Sequence, residues 1–191
     1  MSYDTLKSRV GSWTHRGDYA TYFDGALQLA EAKMSRRIQH PYNEVTATVS
    51  IASGVGALPA DFGSIERVVF GVATLLVTPY ASSMIPQAGT PDRYSINGTS
   101  IVLNRVPSDG NATITYYQRI QELTASATTN WLETFAPDLY FYGVMAEMGD
   151  ALHDDAMMAK YSARFESAIL ELNRDGKRMK FGNAPLQVET R

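Results

Sequence analysis

Residues 129–143 have the sequence TNWLETFAPDLYFYG, and this segment decides how the rest of the chain is interpreted. It begins with Thr129 and Asn130, two residues typical of helix N-caps, ahead of a short helical turn. Pro137 suits the first position of a longer helix, because proline lacks the backbone N–H that would be unsatisfied there. The carboxylate of Asp138 then faces the positive end of the helix dipole. The segment therefore predicts two consecutive helix starts where the chain leaves a region of strands.

Three adjacent aromatic residues follow in the longer helix: Tyr140, Phe141 and Tyr142. Successive side chains on a helix point roughly 100° apart, so the three rings cannot all enter one core. We expect at least one of them to contact another domain or another copy of the chain. Trp131, Tyr140 and Tyr142 are therefore our candidate interface residues.

The period of apolar residues changes twice along the chain. Helical spacing in residues 2–13 and 19–39 predicts two helices before the first change. Between residues 45 and 120, apolar and polar residues alternate in short runs separated by turn signals such as Asn97-Gly98, the strongest short hairpin signal. Their close spacing predicts about five to seven antiparallel strands. Helical spacing then returns, with Gly176 as the expected residue just after the last helix.

This order predicts an α+β protein in which a bundle of about four helices carries an inserted antiparallel β region. Residues 1–43 and 121–176 are expected to form the bundle, because each helical part has one apolar stripe that it cannot bury alone. Residues 44–120 form the predicted β domain, and residues 177–191 an extended C-terminal tail. The topology of the β domain stays open between a sandwich and a small open barrel.

The composition excludes several classes of protein. The 191 residues include no cysteine, which excludes disulfides, thiolate metal sites and cysteine nucleophiles. The net charge of −3 argues against sequence-reading DNA binding, but it is compatible with a protein that surrounds DNA without gripping it. No apolar run reaches the ~20 residues that span a bilayer, and the first residues lack an apolar signal region. We therefore expect neither secretion nor a membrane partner.

The sequence offers few groups for catalysis or metal binding. The three histidines, His15, His40 and His153, lie in different predicted elements and lack the spacing of a helical metal pair. Asp154, which follows His153, is expected to cap the last helix rather than to bind metal. Glu133 is the one carboxylate in an aromatic setting and the only candidate general acid, although a solvated or salt-bridged glutamate is the more usual role. We predict no catalytic, cofactor or metal site.

Several short motifs occur in a definite order along the chain. They are Tyr3-x-x-Leu6-x-x-x-Val10-x-x-Trp13, Ala30-Glu31, Arg36-Arg37, Leu58-Pro59-x-Asp61-Phe62, Pro91-x-x-Tyr94-x-Ile96-x-Gly98, Tyr116-Tyr117 and the segment 129–143. Together they resemble the adaptor, or head-to-tail connector, proteins of tailed bacteriophages. The resemblance covers nearly the whole chain, to about Gly176.

The resemblance implies a structural protein of the virion neck that is not an enzyme and is made in the host cytoplasm. Such proteins form a ring, commonly a dodecamer, beneath the portal protein. The ring extends the DNA channel, encloses double-stranded DNA without reading its sequence, and seats the tail or nozzle protein. A head-closure or tail-completion protein is the neighbouring alternative. A peptidoglycan hydrolase using Glu133 and a sugar- or protein-binding β module explain the helix–β–helix order less well.

The C-terminal segments of such adaptors often dock onto the portal. The residues expected to do so here are Leu186 and Val188 in the unpatterned tail, together with the cations Arg178 and Lys180. The tail itself matches no motif of the family. A segment without periodicity that orders on binding is compatible with this role.

Overall fold

A computed structural model of the chain describes residues 2–79, 87–106 and 110–182. Its helices in these ranges are α1 Tyr3–Thr14, α2 Tyr19–Arg37, α3 Trp131–Phe135, α4 Pro137–Ala151 and α5 Asp155–Phe181. A 3₁₀ turn spans Pro41–Asn43. The strands are β1 Glu44–Ile51, β2 Val55–Ala57, β3 Phe62–Phe70, β4 Ala73–Thr74, β5 Leu76–Val77, β6 Gln87–Ala88, β7 Arg93–Asn97, β8 Ser100–Leu103, β9 Arg105–Val106 and β10 Gly110–Gln118. The predicted α+β class is confirmed.

The chain forms two compact units. The first contains Met1–Asn43 and Ile120–Arg191, and the second contains Glu44–Arg119. The helical unit is thus made from both ends of the sequence, and the β unit lies between them in the chain. Within the ranges described, no helix is both long enough and apolar enough to cross a bilayer.

Helix α4 lies at the centre of the helical unit, where α1, α2 and α5 all pack against it. Gly143 of α4 is a point of close approach to two helices, since a Cβ atom there would lie 2.9 Å from the Phe165 ring and 3.0 Å from Met34 Cε. Phe165 comes from α5 and Met34 from α2, and both belong to the buried core. The apolar stripes before and after the β region therefore bury one another.

The last helix continues further than expected. Gly176 does not end α5 but lies buried within it, and the helix extends to Phe181. A Cβ atom at position 176 would lie 2.9 Å from His40 Cδ2 and 3.1 Å from Pro41 Cδ. This glycine therefore permits close packing rather than a left-handed cap, and residues 177–181 belong to the helix instead of the predicted tail. Gly182, with φ of 61°, occupies the C-cap.

The β unit contains two four-stranded sheets, with strand orders β1-β10-β3-β4 and β2-β8-β7-β5. Residues of both sheets share one apolar core, in which Ile114 of β10 and Ile101 of β8 are fully buried. The long ladders β1–β10, β10–β3 and β7–β8 are antiparallel, as predicted. The short pairs β5–β7 and β6–β9 are parallel, so the prediction of a purely antiparallel region is wrong for them.

The predicted hairpin forms between β7 and β8, with a turn one residue later than the Asn97-Gly98 signal indicates. Asn97 pairs with Ser100, so the two loop residues are Gly98 and Thr99. Gly98 has φ of 58°, a conformation that glycine adopts without the steric cost of a Cβ atom. A glycine at the first loop position is typical of a type II′ turn.

Candidate functional site

The helix starts predicted in residues 129–143 are confirmed. The Asn130 side chain accepts a hydrogen bond from the backbone N–H of Glu133 at 2.8 Å, which caps α3. Pro137 occupies the first turn of α4. At the start of α5, Asp154 Oδ1 accepts from the Met157 N–H at 2.9 Å, so this carboxylate is a cap as expected. Local hydrogen bonding therefore accounts for the cap residues without a functional role.

Tyr140 belongs to a buried polar network in the helical unit. Its hydroxyl donates to Glu31 Oε1 at 3.1 Å and accepts from Asn130 Nδ2 at 2.6 Å. Glu31 Oε1 also accepts from the backbone N–H of Leu123 at 2.8 Å. The network ties α2 and α4 to the segment that returns from the β unit.

The burial of Tyr140 corrects its assignment as an interface residue. Its side chain has no exposed surface and therefore offers none to a second copy of the chain. Adjacent aromatic residues can all be covered here, because α1, α2 and α5 pack on several faces of α4. Phe141 is also buried, and Tyr142 is the one of the three that stays partly exposed.

Burial sets the protonation of this network. It raises the pKa of Glu31 from 4.5 to about 7, although the hydrogen bonds from Leu123 and Tyr140 favour the charged carboxylate. Burial likewise raises the pKa of Tyr140, which keeps its hydroxyl protonated as a donor. One oxygen of Glu31, Oε2, is buried without a hydrogen-bond partner. The carboxyl group therefore carries an uncompensated cost when it is ionised.

We expect Glu31→Gln to remove a pH dependence of stability. Folded Glu31 holds its proton up to about pH 7, whereas the unfolded carboxyl group releases it near 4.5. Its contribution to the free energy of unfolding is therefore fully present at low pH and is lost as the pH rises through about 7. When the pH is raised from about 5 to about 8, the free energy of unfolding of the neutral variant should therefore rise by on the order of 2 kcal/mol relative to that of the wild type.

Urea unfolding of both proteins at the two pH values measures this gain. The difference between the proteins isolates Glu31 from the other titrating groups. Gly25→Ala on the same helix, where a Cβ atom would meet nothing within 4 Å, is the non-titrating control and should shift stability equally at both pH values. A Glu31→Gln effect of equal size at both pH values would contradict the role assigned to this carboxyl.

Trp131 lies in an aromatic cluster that the sequence does not reveal. Its ring stacks on His40 with centroids 5.6 Å apart, and its Nε1 donates to Asn43 Oδ1 at 3.2 Å. Tyr42 and Phe135 pack edge-on against each other with centroids 5.1 Å apart, and each also packs tilted against His40, at 5.0 and 5.2 Å. Burial lowers the pKa of His40, which favours a neutral imidazole in this setting.

The outer wall of this cluster is apolar and reaches solvent. Tyr42 is 53% exposed and Phe135 is 46% exposed, whereas Trp131 is partly buried behind them. Nearly ninety positions separate the two halves of the cluster in the sequence, so no local pattern reveals it. Exposed aromatic side chains are enriched at protein interfaces, which makes the cluster a candidate contact surface.

Tyr142 lies in a second aromatic group, flanked by cations. It stacks on Tyr161 with centroids 6.3 Å apart and rings inclined by 29°. The Arg164 guanidinium lies 5.7 Å from the Tyr142 ring centroid and 5.8 Å from that of Tyr161. A guanidinium over an aromatic face is stabilised by cation–π attraction. Arg164 was not identified from the sequence, because nothing local links it to Tyr142.

A family model described as SU10 adaptor protein matches residues 1–189, almost the entire chain. The chain belongs to the SU10 adaptor protein family. This is a family of phage head-tail adaptors, so the resemblance noted in the sequence is confirmed. No curated protein sequence matches the chain.

Membership of the SU10 adaptor family indicates a structural component of a phage particle. Glu133, the candidate general acid, lies in α3 with no exposed surface. A general acid must come within hydrogen-bonding reach of its substrate, so this position does not favour the hydrolase alternative. Across residues 2–79, 87–106 and 110–182, no group of three or more metal-ligating side chains could hold an ion.

The expected portal-docking residues of this SU10 adaptor family member divide into two groups. Arg178 and Lys180 lie in the last turn of α5, and Arg178 donates to Asp175 at 3.3 Å. Leu186 and Val188 lie outside the residues that the structure describes. Docking by these four residues stays a prediction.

Proposed function

We propose that the chain forms a ring at the neck of the phage particle, beneath the portal protein. In this role the ring extends the DNA channel and provides the seat for the tail or nozzle protein. The observation that carries the proposal is the family match across residues 1–189. The net charge of −3 supports a channel that encloses double-stranded DNA without holding it, since tight binding to phosphates requires a basic surface.

Ring formation needs two different surfaces on each subunit, because the contact between neighbours is heterologous and repeats around an axis. The aromatic cluster around Trp131, with its exposed Tyr42 and Phe135, supplies one candidate. The partly exposed Tyr142 beside Arg164 supplies another. We propose both as subunit contacts and leave Tyr140 to the core.

Deletion of residues 183–191 is expected to abolish portal association while the fold stays intact. The deleted segment contains Leu186 and Val188 but leaves α5 complete to Phe181. Co-purification of tagged portal with the full-length and truncated chains measures the effect. We expect a loss of at least about tenfold in retained adaptor, as for the removal of a binding hot spot.

Two controls accompany the deletion. Circular dichroism of the truncated chain should match that of the full chain, which separates lost docking from lost folding. Arg178→Ala with Lys180→Ala tests the helical part of the predicted site without shortening the chain. Unchanged co-purification of the truncated chain would count against portal docking by the tail. Retention on a tail protein but not on portal would favour the head-closure or tail-completion alternative.

A further inference from the structure

One side of α5 carries a patterned row of charged side chains. Lys160, Arg164, Glu171 and Asp175 lie within about 60° of the helix circumference, since each spacing is close to a whole number of turns. Arg178 lies in the same sector, beyond Asp175 towards the end of the helix. This charged stripe flanks the buried face of α5. Lys160, Arg164 and Glu171 are exposed, and Asp175 is partly exposed.

Of the four residues of the stripe, all within the described part of the chain, only Asp175 forms an ion pair within one copy. Within the described residues, Lys160 and Arg164 contact aromatic faces and form no ion pair with a carboxylate. Asp175 accepts from Arg178 on the next turn at 3.3 Å. Lys160 with Arg164, and Glu171 with Asp175, are like charges at i,i+4 positions, which repel in an isolated helix. The basic and acidic halves are about 10 Å apart along the axis, too far to neutralise each other directly.

The four charges of the stripe are symmetric about the point between Ser167 and Ala168, whereas Arg178 beyond them has the uncharged Met157 at its mirror position. Lys160 and Asp175 are equally far from this point, as are Arg164 and Glu171. If two copies of α5 cross antiparallel at this point, Lys160 of each copy faces Asp175 of the other. Arg164 then faces Glu171 in the same way, so the crossing forms four ion pairs. The small side chains Ser167 and Ala168 lie where the two helices would approach most closely.

The surface beside the stripe differs between its two halves, with a groove next to the acidic half and an aromatic ring next to the basic half. Next to its acidic half lies a groove of about 260 Å³, whose apolar walls include Phe135, Leu139 and Leu172. Asp138 adds a further carboxylate to the lining of this groove. Beside the basic half lies the partly exposed ring of Tyr142, under Arg164. A two-fold axis between the two halves places the basic half of one copy, with Tyr142 beside it, against the acidic half and the groove of the other copy.

We propose that a second copy of this chain docks on the charged stripe, forming an antiparallel two-fold dimer through α5. Such an isologous contact closes on itself and does not extend into a ring. It is therefore a state of the free subunit and goes beyond the proposed ring. Because the contact would cover Tyr142, the dimer and a ring contact through Tyr142 exclude each other.

Charge reversal tests the dimer and its register. In sedimentation velocity runs of the full chain at low salt, the wild type should show a concentration-dependent monomer–dimer equilibrium that weakens as salt is added. Arg164→Glu and Glu171→Arg each place like charges opposite one another twice per dimer. Each should raise the dissociation constant about 10- to 100-fold.

A mixture of the two single variants tests the register of the dimer most directly. In a heterodimer of Arg164→Glu with Glu171→Arg, every 164–171 pair is again of opposite sign, so mixing should restore the dimer. The double variant should restore it as well. Lys177→Glu, an exposed change on another side of α5, is the matched control and should dimerise like wild type. Circular dichroism of each variant verifies that the fold is kept.

Three results would overturn the proposal. One is a wild-type chain that stays monomeric over the whole concentration range at low salt. Another is that Arg164→Glu and Glu171→Arg, each tested alone, dimerise as tightly as the wild type. The third is a mixture that stays monomeric, which would exclude the two-fold register.

Discussion

Phe165→Asp is expected to unfold the helical unit at ambient temperature. Phe165 is 4% exposed, and its ring packs against Gly143 of α4. Removing such a ring costs about 3–5 kcal/mol, and an unpaired carboxylate in its place adds a further desolvation cost. Domains of this size have a free energy of unfolding of about 5–15 kcal/mol in total. Thermal unfolding followed by circular dichroism should show the helical signal lost or its midpoint sharply lowered.

Leu170→Asp is the matched control on the same helix. Leu170 is 57% exposed, so the new carboxylate stays in water. Its effect on the free energy of unfolding should stay within about 0.5 kcal/mol. If Phe165→Asp melted at the wild-type midpoint, the packing of α5 on α4 would be wrong.

Gly149→Ala is expected to destabilise the α4–α5 pair by on the order of 2 kcal/mol. A Cβ atom at this position would lie 2.6 Å from the backbone N of Met158 and 2.8 Å from its Cα. Backbone atoms cannot rotate away as the end of a side chain can, so the two helices must separate. Alanine is a better helix former than glycine by about 1 kcal/mol, so helix propensity alone predicts stabilisation. A loss of stability would therefore report the clash between the two helices.

Gly25→Ala gives the opposite expectation with the same chemical change. Gly25 lies in α2, and a Cβ atom there would meet nothing within 4 Å. The added methyl group should stabilise the chain by about 0.5–1 kcal/mol, because it lowers the entropy of the unfolded state. Urea unfolding of both variants measures the two effects. Equal shifts of the same sign would show that helix propensity, rather than packing, governs both positions.

The sequence contains enough local information to predict the helix starts and the main strands. Asn130, Pro137 and Asp154 have roles fixed by neighbouring backbone groups, so a cap pattern suffices. The alternation in β1 and β10 likewise follows from one buried face. The two-residue parallel strands β5 and β6 are too short to show any period, and no sequence pattern could have indicated their pairing.

The candidate site was predicted less completely, because it depends on contacts between distant segments. Tyr140 was placed at an interface, although Glu31 and Asn130 hold it in the core. Gly176 has the sequence signature of a helix end, but its packing against His40 explains it instead. Glu31 and His40 both lie in the other half of the helical unit, far from Tyr140 and Gly176 in the sequence. A single apolar stripe does not reveal how many faces of a helix are covered.

The central claim is that copies of this chain form a ring on the portal. Cryo-electron microscopy of the full-length chain mixed with its cognate portal tests the claim most directly. We expect a closed ring of subunits on one end of the portal, coaxial with the DNA channel. Portal particles that stay bare, or that carry the chain away from the channel axis, would contradict the account.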